Sequence, residues 1–138
     1  MSRTRILASI ALAAGAFPAA AAAASNAPLF QNPARTAVCG IEIHARSQPA
    51  TELLCSGNGV PRAKHGIGDP FVQIARTGSP QLVLISQNSY VSQNLKTLSK
   101  GTLWSSLGVT CSIGSKTILC FNSDNHGFLI GGGKYTSF

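Results

Sequence analysis

Short runs of strand-forming residues alternate with turn signals along most of this chain. Between Pro, Gly and Asn-Gly breaks lie segments of four to six residues that are rich in Val, Ile, Leu, Phe and Tyr: 71–76, 81–86, 117–122, 127–130 and 134–138. β-Branched and aromatic residues favour strands, and short runs bounded by Gly and Pro are typical of sheets linked by hairpins. The pattern therefore predicts a mainly β protein, a small antiparallel sandwich or barrel.

Two segments depart from this pattern. Residues 92–100 contain leucines spaced three apart, which predicts one short helix. Residues 58–68 are interrupted every few positions by Pro or Gly, which predicts a mobile loop. This loop holds the one local cluster of basic side chains in the sequence, Arg62, Lys64 and His65. These three side chains are therefore candidate binding residues.

The first 24 residues have the composition of a secretory signal peptide. Arg3 and Arg5 precede an apolar run over 6–17, and an alanine tract ends at Ala24. A basic start, a short apolar stretch and small residues at a cleavage site are what export requires. We therefore expect cleavage after Ala24 and a single exported domain, residues 25–138, that is secreted or held in the periplasm or cell wall. No later segment approaches the length of a transmembrane helix.

Export determines how the four cysteines are interpreted. An even number of cysteines in an oxidising compartment predicts disulfides, here two. Folding the chain at its Gly-Ser-Lys turn places Cys111 opposite Cys120, and folding it at the turn 47–50 brings Cys39 near Cys55. Since the chain has no C-x-x-C pair, we expect two local disulfides and neither a metal nor a cofactor.

An ordered set of motifs occupies the C-terminal third of the chain: Gly101-Thr-Leu-Trp104, Cys111, Cys120-Phe-Asn122 and His126-Gly-Phe128. Together with Leu29-Phe-Gln-Asn-Pro33, this set resembles a family of small exported bacterial proteins, often actinobacterial, that is catalogued as a domain of unknown function. The resemblance implies a compact, disulfide-linked, exported β-domain. It implies no activity, because none is established for the family.

The same motifs have a structural explanation. Trp104 and Phe128 supply large side chains for a core, and Asn122 can close a turn through its side chain. An alternative is a hydrolase triad of Asp124, His126 and a serine. The chain contains no G-x-S-x-G motif, which is the usual setting of such a nucleophile. The structural explanation is therefore the expectation for this segment.

One other group of residues has chemical promise. Alternation along a strand places Glu42, His44 and Arg46 on one face and the intervening apolar residues on the other. A carboxylate, an imidazole and a guanidinium on one sheet face are the base, the acid and the phosphate clamp of a small secreted ribonuclease. The same three residues also suit the solvated face of an amphipathic strand. Both hypotheses stay open at this stage.

The charge of the expected mature domain is positive. Without Arg3 and Arg5 it has nine Lys or Arg against four Asp or Glu, a net charge of +5. Such a balance favours anionic partners, but the basic residues are spread singly and no aromatic residue is interleaved with the 62–65 cluster. We therefore expect no sequence-specific nucleic-acid recognition.

The function expected from these observations is a disulfide-stabilised, non-enzymatic interaction module of the cell envelope or medium. Its expected partner is an anionic envelope polymer or another protein. Two alternatives are a protein inhibitor or immunity-like partner, and a small secreted nuclease or hydrolase that uses Glu42, His44 and Arg46. An enzyme is the less expected outcome, because few acidic residues and no metal-ligand pattern are available for catalysis.

Overall fold

The protein is a two-layered β structure. A computed structural model describes residues 22–41, 51–86 and 94–138. The described residues form twelve strands and no helix, divided between two six-stranded sheets. The predicted mainly β fold is confirmed. Of its two alternatives the sandwich is correct, since the strands form two separate sheets rather than one closed barrel.

The two sheets differ in which parts of the chain they contain. Sheet A holds, in order across the sheet, β1 (Ala24–Ser25), β8 (Leu103–Ser106), β9 (Val109–Ile113), β10 (Ile118–Asn122), β11 (Gly127–Gly131) and β12 (Lys134–Ser137). Sheet B holds, in order, β6 (Gln81–Ile85), β5 (Asp69–Ala75), β4 (Glu52–Gly57), β3 (Ala37–Ile41), β2 (Leu29–Gln31) and β7 (Lys96–Thr97). Neighbouring strands are antiparallel except for β1 with β8 and β7 with β2.

Both predicted disulfides are present. In sheet A, Cys111 lies directly opposite Cys120, and their Cα atoms are 4.0 Å apart. In sheet B, Cys39 lies directly opposite Cys55 at 4.1 Å. The register predicted from the short hairpin in sheet A is therefore confirmed, as is the pairing in sheet B. The turn predicted at 47–50 lies outside the described residues.

The core lies between the sheets and follows the alternation of the strands. Trp104 on β8 and Phe30 on β2 are both fully buried, and their rings stack with centroids 4.9 Å apart. The indole Nε1 of Trp104 donates a hydrogen bond of 2.8 Å to the carbonyl oxygen of Ala27. Phe128 is also fully buried. The expectation that Trp104 and Phe128 supply the core is therefore confirmed.

The helix predicted over 92–100 is wrong for the described part of that segment. Lys96–Thr97 form β7, which runs parallel to β2. Gln31 binds this strand through its side chain, whose Nε2 donates to Thr97 Oγ1 at 2.9 Å, and through its carbonyl, which accepts from Leu98 N at 2.9 Å. Pairing with a strand 66 positions earlier outweighs a weak local preference, because propensity is overridden by tertiary contacts.

The structure bears only in part on export. Across the described ranges, we find no helix that is long and apolar enough to cross a membrane. Residues 1–21, which carry the basic and apolar parts of the expected signal peptide, lie outside the described residues. The signal peptide therefore stays a prediction.

Candidate functional site

Strand direction divides the loops of the sandwich between its two ends. Because antiparallel neighbours reverse the chain, alternate connections return to the same end. One end is formed by loops 32–36, 58–68, 98–102, 114–117 and 132–133. The opposite end is formed by loops 76–80, 107–108 and 123–126.

Positive charge is concentrated at the first of these ends. Six of the eight Lys and Arg residues in the described part of the chain lie there, and all six are exposed: Arg35, Arg62, Lys64, Lys100, Lys116 and Lys134. Asp69, the first residue of β5, is the one acidic residue that the described chain places at this end. We call this surface the basic end. Its clustered charge creates a positive potential that attracts anionic ligands.

Asn32 ties the loops of the basic end together across the two sheets. Its side chain is completely buried. The Oδ1 atom accepts the backbone N–H groups of Thr36 and Ala37, each at 3.0 Å, and thereby closes loop 32–36. The Nδ2 atom donates to Thr36 Oγ1 at 2.8 Å and to the carbonyl oxygen of Ser115 in sheet A at 3.3 Å. A buried amide with these partners satisfies its polar atoms and determines the loop conformation.

Further hydrogen bonds bring Arg35 and Lys116 onto the same surface. The backbone N–H of Ala34 donates to the carbonyl oxygen of Ser115 at 3.0 Å. Thr36 Oγ1 donates to the carbonyl oxygen of Lys116. The two basic residues, 81 positions apart in sequence, therefore sit on loops whose backbones are directly bonded.

Glycines permit two more close approaches at this end. A Cβ atom on Gly59 would lie 2.6 Å from the carbonyl carbon of Gly133, and one on Gly131 would lie 2.4 Å from the carbonyl oxygen of Lys116. Both glycines also have a positive φ, of 102° and 100°. Loop 58–68 and the β11–β12 turn are therefore packed backbone to backbone, which only glycine allows.

The predicted binding residues Arg62, Lys64 and His65 lie in the loop that joins β4 to β5, as expected. Arg62 Nη1 donates to the carbonyl oxygen of Gly68 at 2.8 Å and closes the loop on itself. Lys64 and His65 are exposed. The three residues belong to the basic end, where the fold adds charges that are distant in sequence.

The opposite end is organised by Asn122, which is 3% exposed. Its Oδ1 accepts the N–H groups of Asp124 at 3.1 Å and His126 at 3.2 Å, so the side chain closes the β10–β11 turn as expected. Its Nδ2 donates to the carbonyl oxygens of Ala75 at 3.1 Å and Gly78 at 2.7 Å in sheet B. This end is therefore cross-linked between the sheets as well.

Asp124 and His126 are directed to different partners. Asp124 Oδ2 accepts the backbone N–H of Gly78 at 2.8 Å, and His126 Nδ1 lies 3.3 Å from the carbonyl oxygen of Phe138. These contacts agree with a structural role for the segment. His65 lies at the other end of the sandwich, separated from His126 by the length of a seven-residue strand, roughly 20 Å. The two histidines therefore do not share a cleft.

The candidate catalytic residues Glu42, His44 and Arg46 lie outside the described residues. The preceding strand, β3, ends at Ile41, whose side chain packs against the core. That is the side of the sheet expected for Ile41. The hypothesis that the three polar residues share a catalytic face stays a prediction.

The sulfur atoms of the core meet across the sandwich. The Sγ atoms of Cys39, Cys55 and Cys120 all lie within 4.8 Å of one another. All three are oxidised, the first two to each other and Cys120 to Cys111. A disulfide offers no thiolate to a metal ion, so this cluster is a structural contact between the two bridges in the oxidised protein.

A groove of about 380 Å³ opens at the basic end on sheet B. It is lined by three segments, 35–38, 56–58 and 69–71. Arg35 and Asp69 contribute side chains of opposite charge, whereas Val38 and Phe71 contribute apolar surface. A concave site with an apolar lining and a few charged groups is suited to a small ligand.

Sequence inspection missed most of the basic end. Arg35, Lys100, Lys116 and Lys134 are isolated charges in the sequence, yet each lies in or next to a turn marked by Pro or Gly. A sequence signal for these four residues does exist, because each lies at a turn. In a chain of antiparallel strands, every second turn lies at the same end of the sheet.

The chain was compared with known proteins at three levels. No protein-family model, curated protein or solved structure matches it. The basic end and the groove are therefore the features that bear on its function.

Proposed function

We propose that this protein is an exported, non-enzymatic binding module that holds an anionic envelope polymer at its basic end. The observation that carries the proposal is the segregation of charge. The basic end has six Lys or Arg and one Asp, whereas the rest of the described chain has two basic and two acidic residues. A polymer with regularly spaced negative groups contacts several exposed cations at once, and each contact releases counterions.

Two features support an exported role. The first 24 residues have the pattern of a signal peptide, and all four cysteines are oxidised to disulfides. Structural disulfides are typical of proteins that act outside the cytosol. They also suit a binding surface made of loops, because the two bridges anchor the strands from which those loops emerge.

The test compares charge reversals at two places in the fold. The double variant Lys116→Glu, Lys134→Glu changes the basic end, and the matched double variant Lys96→Glu, Arg76→Glu makes the same change in net charge elsewhere. Binding of the oxidised domain 25–138 to long-chain linear polyphosphate is measured by titration calorimetry. A basic side chain contributes about 1 kcal/mol near an anionic surface, so the first variant is expected to bind at least roughly thirtyfold more weakly.

The control variant is expected to lose much less affinity, and neutral dextran is expected not to bind. Salt should weaken polyphosphate binding to the parent protein, because ions screen exposed charges over a Debye length of about 8 Å at physiological ionic strength. Equal losses in the two double variants would show that net charge alone attracts the polymer. That result would contradict a specific basic end.

A second candidate function is the docking of another protein, as an inhibitor would do, and one observation favours it. Ile67 in loop 58–68 is 85% exposed, beside the loop closure made by Arg62. An exposed apolar side chain of this size can enter an apolar pocket of a partner protein, which would remove it from water. Replacing Ile67 with Ser is expected to leave polyphosphate binding unchanged, and it would abolish capture of a protein partner.

A further inference from the structure

Two residues of opposite charge line the groove on sheet B. Arg35 comes from the β2–β3 loop and Asp69 from the start of β5, and both line the groove. Both side chains are exposed. In the described structure neither one forms a side-chain hydrogen bond or an ion pair. The guanidinium of Arg35 and the carboxylate of Asp69 are therefore both available to a ligand in the groove.

The backbone of Arg35 has a conformation that is uncommon for arginine. Its φ is 57°, in the left-handed region that few residues other than Gly and Asn adopt. The structurally equivalent residue at the opposite end is Asn125, with a φ of 60°. In each hairpin this residue donates its N–H to the carbonyl of the buried asparagine three positions earlier, at 3.0 Å for Arg35 and 3.1 Å for Asn125.

Asparagine adopts this left-handed conformation more readily than arginine does. Leu107, in the β8–β9 turn, has the same φ of 57°, so the fold offsets the cost of this conformation at more than one turn. The hydrogen bonds of Asn32 to the N–H groups of Thr36 and Ala37 hold the strained loop in place. Arg35 is therefore held beside the groove by a loop that is anchored on both sides.

From this geometry we propose that the groove binds a small zwitterionic group, one that carries an ammonium and a phosphate or carboxylate a few bonds apart. The anionic group binds Arg35, whose planar fork suits both oxyanions. The ammonium binds Asp69, and the connecting carbons lie on Val38 and Phe71. Asp69 gives the groove a preference for zwitterions over simple anions. Its carboxylate repels a ligand that is only anionic and attracts one that also carries a cation.

This proposal goes beyond polymer binding and does not depend on it. The basic residues outside the groove serve a long polyanion, whereas the groove selects a single group that carries both signs of charge. A short ligand that binds only the groove therefore tests it separately. If polyphosphate does not bind, the zwitterion proposal is unaffected. If the short ligands do not bind, the polymer proposal is unaffected.

The experiment uses four short ligands with the oxidised domain 25–138. Phosphoethanolamine and β-alanine are zwitterions with a phosphate and a carboxylate, ethyl phosphate has only the anion, and ethanolamine has only the cation. Affinity is measured by backbone-amide NMR titration, with shifts expected at residues 35–38, 56–58 and 69–71. At least one zwitterion is expected to bind about tenfold more tightly than either singly charged ligand. The better zwitterion identifies which anionic group the groove prefers.

Two variants complete the test. Arg35→Asn removes the guanidinium and places a suitable residue at the left-handed position, so it is expected to fold as well as the parent and to lose zwitterion binding by about tenfold. Asp69→Asn removes the carboxylate, so phosphoethanolamine is expected to bind no more tightly than ethyl phosphate. Lys96→Gln, outside both the basic end and the groove lining, is the control and is expected to change neither affinity.

Each contrary result would overturn the proposal. Ethyl phosphate binding as tightly as phosphoethanolamine to the parent protein would show that Asp69 selects nothing. Shifts that fall on the other basic loops instead of the groove would place the ligand elsewhere. Absence of binding by all four ligands, or unchanged zwitterion affinity in Asp69→Asn, would remove the groove as a binding site even if Arg35→Asn failed to fold.

Discussion

Asn32 and Asn122 occupy equivalent positions in two hairpins that belong to opposite sheets. Each lies where the first strand of its hairpin ends, and each accepts the backbone N–H of the residue four positions later, Thr36 at 3.0 Å and His126 at 3.2 Å. Each also donates a hydrogen bond from its Nδ2 to a carbonyl oxygen in a turn of the other sheet. A buried asparagine side chain therefore links the two sheets by hydrogen bonds at each end of the sandwich.

The first prediction concerns these buried amides. Asn122→Ala removes four hydrogen bonds at once and takes away the buried amide that links the two sheets at this end. We expect the free energy of unfolding to fall by about 2–4 kcal/mol, measured by urea denaturation. Asn125→Gly in the same turn is the control. Its φ of 60° suits glycine, so a change below about 0.5 kcal/mol is expected. Similar losses in the two variants would contradict a special role for Asn122.

The second prediction concerns the contact between the two disulfides. Non-reducing peptide mapping should show Cys39 linked to Cys55 and Cys111 linked to Cys120. Because sulfur atoms of the two bridges lie within 4.8 Å, removing both bridges should change stability by an amount that differs from the sum of the single removals. A coupling of about 0.5–3 kcal/mol is expected for such neighbours.

The control for this coupling is an exposed site far from the core sulfurs. Each bridge is replaced by a pair of alanines, alone and together with Lys64→Ala, and the free energy of unfolding is measured for every combination. Lys64→Ala should add to either bridge removal within about 0.5 kcal/mol. Strict additivity of the two bridge removals would show that the sulfur contact has no energetic consequence.

The third prediction concerns the backbone contact that holds loop 58–68 at the basic end. Gly59 and Gly101 both have a positive φ, of 102° and 89°, but only a Cβ on Gly59 meets other atoms, at 2.6 Å from Gly133. Replacing either with Ala costs about 1–2 kcal/mol of backbone strain. Gly59→Ala must also separate two backbones, so we expect it to unfold at a clearly lower urea concentration than Gly101→Ala.

Gly59→Ala also tests whether the position of loop 58–68 matters for polyphosphate binding. If loop 58–68 moves away from the β11–β12 turn, the basic end is divided and polyphosphate affinity should fall in Gly59→Ala but not in Gly101→Ala. Equal stability and equal affinity in the two variants would show that the close approach is dispensable.

The fourth prediction concerns the attachment of the N-terminal segment. Trp104→Phe keeps an aromatic ring against Phe30 but removes the N–H that donates to the carbonyl oxygen of Ala27 at 2.8 Å. In a form of the protein that retains residues 22–24, the amide of Leu103, bonded to Ala23 at 2.8 Å, should then exchange faster with solvent, because the segment that pairs with it is less firmly held. Hydrogen exchange measured by NMR tests this. A volume change alone, Phe128→Leu, should not affect Leu103.

Local sequence signals determined the hairpin around Ser115 and its disulfide. The two cysteines are nine positions apart, the residues between them include a Gly-Ser-Lys turn, and alternation leaves one register that buries both cysteines. The same reasoning gave the pairing of Cys39 with Cys55. Contacts of this kind are predictable because the partners are close in sequence and few arrangements compete.

Strand β7 shows why other elements were not predictable. Lys96–Thr97 have only weak local preferences, and two leucines three apart resemble a helix. The strand forms because Gln31, on a distant part of the chain, offers it both a backbone carbonyl and a side-chain donor. No local pattern records such a partner.

The sequence by itself determined the positions of most strands, the pairing of the cysteines and the net positive charge, since each depends on composition or on neighbours in the chain. Only the tertiary structure decided that Arg35, Lys116 and Lys134 share one end, and that Asp69 faces the same groove as Arg35. Charges that are isolated in the sequence form one surface because antiparallel strands place alternate turns at the same end. The hydrogen bonds of buried Asn32 and the backbone contacts of the glycines then hold those turns together.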